Sequence, residues 1–218
     1  MTQAITLLLG VALGNVIRGI PLDSSGQVTL KLVDLLNPYS LAVGVTAVAM
    51  LSLHGGIFLT LKVDGDLLTR VERLVPRLMI GFFVVMTGLM AWTLLLNSEV
   101  AGRYRDRVWI AAFPLLALIA AVGAWRLILR RNYLAAFGAS AAMIGLLLAT
   151  VGAGMYPVLL PSSTDAAYDL TVHNAASAPE TLTVMTVIAV IGIPFVLIYT
   201  AGVYYFFRGR VVLDDDSY

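Results

Sequence analysis

Long uncharged apolar runs follow one another down this chain, separated by short clusters of charge. Met1 to Ile17, Tyr39 to Leu61, Leu78 to Asn97, Val108 to Trp125, Asn132 to Ser163 and Thr181 to Phe207 hold no Asp, Glu, Lys or Arg. A helix needs roughly 20 mostly apolar residues to cross a bilayer. The runs are continuous and do not alternate, so they read as helices and not as barrel strands. The pattern predicts an all-α polytopic transmembrane bundle of about six spanning helices, forming one integral membrane domain over residues 1–218. The first run is the short one, with Arg18 already following Ile17. A tilted or kinked first helix is one reading; a chain that starts inside a larger design is the other.

The break between the last two runs is not slack. Pro157 and Pro161 can close a helix, since proline has no N–H and clashes with the preceding turn. Ser162, Ser163 and Thr164 can bond the nearby backbone. The next helix is expected near Ala178-Pro179-Glu180, with proline and acid where a helix start favours them. Residues 158–180 are therefore expected to form an ordered cap loop held by Ser162, Ser163, Asn174 and Ser177. Asn37-Pro38 reads as another helix start, with Asn37 as the cap.

Composition strengthens the membrane reading. The chain is 60% hydrophobic and 12% charged, with a mean hydropathy of +0.91; soluble domains carry about twice that charge. Of the 14 Lys and Arg residues, nine flank the ends of the second, fourth and sixth runs: Lys62, Arg70, Arg73, Arg77, Arg126, Arg130, Arg131, Arg208 and Arg210. Arg18, Lys31, Arg103, Arg105 and Arg107 lie on the other side. The positive-inside rule puts the nine in the cytoplasm. Residues 208–218 become a cytoplasmic tail and the cap loop extracytoplasmic. Asp64, Asp66, Glu72, Arg70 and Arg73 read as a cytoplasmic loop of solvated, mutually paired charges.

The sequence excludes several chemistries. There is no cysteine, which removes disulfides and thiolate metal sites. No phosphate-binding, dinucleotide-binding, zinc-protease or nucleophile-elbow motif occurs, and a net charge of +1 gives no reason to invoke nucleic acid. Met1-Thr-Gln lacks the basic start of a signal peptide.

Few polar residues remain as candidates. His54 lies inside the second run. A neutral imidazole bonded to a neighbouring helix is the cheapest reading there; a proton relay and an axial haem or metal ligand are the alternatives. Bis-histidine ligation has no second intramembrane histidine. Met50 shares the face of His54 one turn away, so it cannot be a trans ligand. His173 reads as a loop hydrogen-bonding residue. Asn15 and Arg18 are one turn apart and share a face. They either anchor the helix end or touch a lipid, a quinone headgroup or a partner loop. Gly145 and Gly152 lie two turns apart on one face, which predicts that the fifth run is interior or faces another subunit. Pro114 and Pro194 are expected to kink their helices.

An ordered set of short motifs carries a resemblance. It comprises Gly14-Asn-Val-Ile-Arg-Gly-Ile-Pro21, Leu35-Leu-Asn-Pro-Tyr39, Leu53-His-Gly-Gly56, Tyr156-Pro-Val-Leu-Leu-Pro-Ser-Ser163, Leu170-Thr-Val-His-Asn-Ala-Ala-Ser177 and Phe207-Arg-Gly-Arg210. The chain resembles subunit II of cytochrome bd ubiquinol oxidase across nearly its whole length. The resemblance implies a prokaryotic cell-membrane terminal oxidase that oxidises quinol and reduces dioxygen to water. Haems b and d would sit in the partner, cytochrome bd subunit I, and none would be ligated by this chain. It would support subunit I structurally, with a part in proton or oxygen access. Small accessory subunits and contact with membrane lipid or quinone stay open. The Asp-Gly-Phe-Asp and Trp-Asp-Gly-Asn motifs of the family's first helices do not occur, so this chain matches the C-terminal two-thirds of the family fold. A separate polypeptide supplying those helices, their absence, or a start internal to a longer product are the three readings. From the residues alone, a small-solute permease and a membrane assembly factor without a redox role are the competing classes.

Overall fold

The computed structural model describes residues 1–23, 26–28, 30–96, 102 and 108–207. Arg103, Arg105, Arg107, Arg208, Arg210 and the expected tail 208–218 lie outside the described residues. Six long helices follow in chain order: α1 Thr2–Arg18, α2 Pro38–Lys62, α3 Gly65–Leu96, α4 Ala112–Leu129, α5 Tyr133–Met155 and α6 Pro179–Phe206. Five have the length and hydropathy to cross a membrane, and α1 is a shorter apolar helix. This agrees with the bundle expected from the charge-free runs.

Helix α2 is the hub, packing against α1, α3 and α5, while α4 packs along α5. The core is a column of Leu53 and Ile57 from α2, Val71, Val75, Met79 and Phe82 from α3, Ala121, Ala124 and Ile128 from α4, and Ala136 and Met143 from α5. The outer surface of the helices is a field of exposed Leu, Ile, Val and Phe. None of α6 is buried; the Lys62 ammonium donates to the carbonyl of Phe207 at 2.7 Å where α6 ends.

Helix α1 docks on α2 through glycine. A Cβ built on Gly10 would lie 2.6 Å from the Gly44 Cα, and one on Gly14 would lie 2.6 Å from the Ser40 Cα. Gly10 and Gly14 form a GxxxG pair, the spacing that lets two backbones meet without side chains between them. At Gly138, Gly145 and Gly152 a Cβ would meet nothing within 4 Å. Within this chain the close approach is therefore at the first run, and the glycine face of the fifth is left open.

Three other expectations change. The charged stretch after α2 is helical: α3 begins at Gly65 and runs 32 residues through Pro76. Its polar turns carry on the Val71–Phe82 face, so packing holds them helical where charge alone suggested a loop. Glu72 does not pair with Arg70 or Arg73. It accepts from the Tyr133 hydroxyl and lies 3.5 Å from Arg131, which turns the chain between α4 and α5 with φ 56°. Pro114 falls in the first turn of α4, where a missing N–H costs nothing. Pro194 lies inside a continuous α6.

Helix α5 stops at Met155, ahead of Pro157. A small antiparallel hairpin follows, β1 Val158–Leu160 with β2 Leu170–Thr171. The cap then leads into α6, which opens on Pro179 with Glu180 in its first turn.

Candidate functional site

The candidate polar side chains lie in two places: the end of the bundle beside the cap, and one node between α2 and α5. At the cap end, Asn37 caps α2 by accepting from the Ser40 N–H at 3.0 Å, with Pro38 at the first helical position. Its amide nitrogen donates to the Asn15 Oδ1 at 2.9 Å. Asn15 in turn donates to the carbonyls of Leu35 at 2.7 Å and Val11 at 2.9 Å. Asn15 is 6% exposed, so one buried amide ties α1 to the turn that precedes α2.

The cap is built from side-chain to backbone bonds. The Ser162 N–H donates to Asp169 at 2.7 Å, and the Ser162 Oγ accepts from the N–H groups of Thr164 and Asp165. Asn174 accepts from the Thr171 N–H at 2.7 Å and donates to the Asp169 carbonyl at 2.8 Å. The loop is stitched to the end of α1: the Ile20 N–H donates to the Pro161 carbonyl and the Ser163 N–H to the Ile20 carbonyl. The Ser162 and Asn174 side chains bond nearby backbone, while Ser163 is held through its main-chain N–H. Ser177 makes no side-chain hydrogen bond among the described residues. The backbone N–H of His173 donates to the Thr171 hydroxyl, so the bond formed there belongs to its main chain.

Between α1, the cap and the turn before α2 lies a cavity of about 470 Å³. Asn15, Arg18, Asp34, Asn37 and Ser163 line it, with Val33 and Leu36 as apolar wall. Three residues singled out from sequence, Asn15, Arg18 and Ser163, therefore meet in one place. Asp34 and Asn37 were not foreseen there. Their only sequence signal was the polar pair itself within the short 3-10 turn Leu32–Leu35 and the helix start.

The second node is His54. Its Nδ1 lies 2.8 Å from the Ser140 Oγ on α5, and its ring stacks on Phe137 at 4.7 Å and 25°. The Ser140 hydroxyl also donates to the Phe137 carbonyl at 2.8 Å. A serine has one hydrogen to give. It goes to the Phe137 carbonyl when Nδ1 carries the imidazole proton, and to Nδ1 in the other tautomer. The imidazole bonds across two helices, which is the cheapest reading of its sequence position. His54 and the cap-end cavity do not come together.

Among the described residues no three His, Cys, Asp or Glu side chains are grouped to hold a metal ion. Asp165 and Asp169 instead receive backbone N–H groups. Deeper in the bundle, Tyr39, Met50, Met86, Pro114 and Val151 border an apolar crevice of about 340 Å³, where the Tyr39 and Thr93 hydroxyls share a 3.0 Å bond.

The model of the family described as cytochrome bd terminal oxidase subunit II matches residues 3–207. The chain is 30% identical over 205 residues to the cytochrome bd ubiquinol oxidase subunit 2 of Bacillus subtilis, covering 94% of this chain and 60% of that one. It is 31% identical over 243 residues to the cytochrome bd-I ubiquinol oxidase subunit 2 of Escherichia coli K12, covering 96% and 63%. In three dimensions it is similar to a chain in the structure of bd oxidase from Geobacillus thermodenitrificans, with a TM-score of 0.73, 19% identity, and coverage of 94% and 61%. The chain thus spans about three-fifths of the length of these relatives.

Proposed function

Because the chain belongs to the cytochrome bd terminal oxidase subunit II family, we propose that it acts as the non-haem-ligating subunit of a quinol:oxygen oxidoreductase. It is a multi-pass membrane protein whose five long helices have the length and hydropathy to cross the bilayer. In this reading it binds subunit I, which carries haems b and d, and shapes the haem environment from the side. The observation that carries the reading is how the intramembrane polar groups are spent. His54 bonds across α2 and α5, and Asn15 bonds the turn before α2. Both serve helix packing, which is the work of a scaffold. Small accessory subunits belong to the same proposal. The single membrane domain 1–218 includes the extracytoplasmic cap 158–180, and the tail 208–218 is cytoplasmic.

An optical spectrum of the native complex purified through this chain tests the assignment. Bands of b- and d-type haem are expected. A haem-free preparation would return the chain to the permease or assembly-factor classes.

Two mutational outcomes follow. In His54→Asn the amide nitrogen takes the place of Nδ1 and keeps the Ser140 bond. In His54→Gln the reach is closer to that of Nε2. Haem content should be unchanged in both. Quinol oxidation should fall by less than about threefold, roughly 0.7 kcal/mol on the rate scale. His54→Asn should be the more stable of the two on heating. Loss of one haem equivalent in either variant would make His54 an axial ligand.

Topology is read with reporters. A fusion after Tyr218 should be active in the cytoplasm, and an insertion at Asp165 should report the outside, since nine of the 14 basic residues lie on the C-terminal side. The opposite pattern overturns the orientation.

A further inference from the structure

We infer that the cavity between α1, the cap and the 3-10 turn is a binding site for a zwitterionic, amine-bearing phospholipid. The inference is independent of the redox assignment and requires only that α1 and α2 lie in a membrane. Its level in the bilayer follows from the helix ends. Arg18 closes α1 and Pro38 opens α2, so the cavity sits where both helices pass from hydrocarbon to headgroups.

What the cavity offers is decided by which polar groups are still unused. The Asn15 and Asn37 amides are spent on each other and on backbone. The Arg18 guanidinium has no partner among the described residues. Asp34 uses one carboxylate oxygen on the Lys31 N–H at 3.0 Å, and its other oxygen has no partner among the described residues. Nor has the Ser163 hydroxyl among them, its residue being held by backbone. The lining thus offers a cation from α1, an anion from the 3-10 turn and a hydroxyl from the cap. A lone anion satisfies Arg18 and meets the charge of Asp34. A phosphate joined by two carbons to an ammonium satisfies both, with the phosphate on Arg18 and the ammonium on Asp34. The volume of about 470 Å³ lies within the roughly 300–1,000 Å³ of small-molecule sites.

The rim specifies an amphiphile over a soluble zwitterion. The turn that carries Asp34 exposes Leu32 at 84%, Val33 at 76% and Leu36 at 51%. Charged residues flanked by exposed apolar ones are the signature of a segment lying in the interface plane. Val33 and Leu36 also line the cavity, so acyl chains leaving a bound headgroup meet apolar wall and not water.

The test uses the full chain, purified with its native partners and placed in nanodiscs of equal phosphatidylethanolamine and phosphatidylglycerol. Retained lipid is then counted by native mass spectrometry. The parent should retain phosphatidylethanolamine over phosphatidylglycerol by about fivefold, the usual size of one interfacial charge contact. Asp34→Asn should bring that ratio close to one while keeping total retention. Arg18→Gln should lower retention of both lipids by about fivefold. Both side chains are exposed, so neither change disturbs the core. A photoreactive residue in place of Val33, with Arg18 and Asp34 intact, should form lipid adducts. Equal retention of the two lipids by the parent, or parent-like retention in both variants, overturns the proposal. Displacement by millimolar inorganic phosphate makes the cavity a free-anion site and overturns the lipid assignment. Protein adducts from position 33 make it a docking surface for a partner subunit and overturn it too.

Discussion

Gly10→Val is expected to lower the melting temperature of the detergent-solubilised protein by roughly 6–12 °C, the shift that ~3 kcal/mol produces in a chain of this size. The cause is geometric. Even a methyl at position 10 would stand 2.6 Å from the Gly44 Cα and 3.0 Å from the Ala47 Cβ. The nearest obstacle is backbone, which cannot rotate aside, so α1 must move off α2. Overpacking costs about 1–3 kcal/mol, and more where nothing can relax. Gly55→Ala is the matched control, since a Cβ there meets nothing within 4 Å. That variant should melt with the parent or slightly above it, because alanine favours helix over glycine. If Gly10→Val melted with the parent while Gly55→Ala fell, the α1–α2 contact described above would be wrong.

The second large effect is expected at Asn15. Asn15→Leu keeps the side-chain size and deletes the amide. The Leu35 carbonyl and the Asn37 amide then lose a buried partner at once. Orphaning such groups costs about 1–3 kcal/mol. Asn15→Asp is the sharper probe. It keeps the shape and the acceptor but has no donor, and it sets a carboxylate against the Leu35 and Val11 carbonyls, now 2.7 and 2.9 Å from the amide nitrogen. It should melt below Asn15→Leu. An Asn15→Asp variant as stable as the parent would show that the amide tie contributes nothing.

How much of this could be read from the chain differs by element. The spans were legible because lipid forbids charge, and the charge-free runs mark five long helices directly. The start of α2 was legible because Asn37-Pro38 is local chemistry, complete within four residues. The outer turns of α3 were hidden by the same rule that exposed the spans. Glu72, Arg73 and Arg77 mark the end of hydrocarbon, yet Val71, Val75, Met79 and Phe82 keep one buried face across that boundary. Hydrophobic period would have found those turns where charge counting did not. At the site, the helical spacing of Asn15 and Arg18 was enough to put them on one face. The Leu35 carbonyl that Asn15 holds lies 20 residues away, and no spacing rule reaches it. The two short strands of the cap were unreadable for a related reason. They are held by Asp169 and Asn174 acting on nearby backbone, not by any alternation of their own.

The helices also differ in height. At 1.5 Å per residue, the 21-residue span Trp109–Leu129 that contains α4 rises ~32 Å and the 28 residues of α6 rise ~42 Å. The hydrocarbon they share is about 30 Å thick. The first matches it, while α6 must lean or be met by thicker lipid. Each ångström of mismatch costs a fraction of a kcal/mol. Acyl-chain length becomes a variable to which this molecule responds: shortening the chains tilts α6 further.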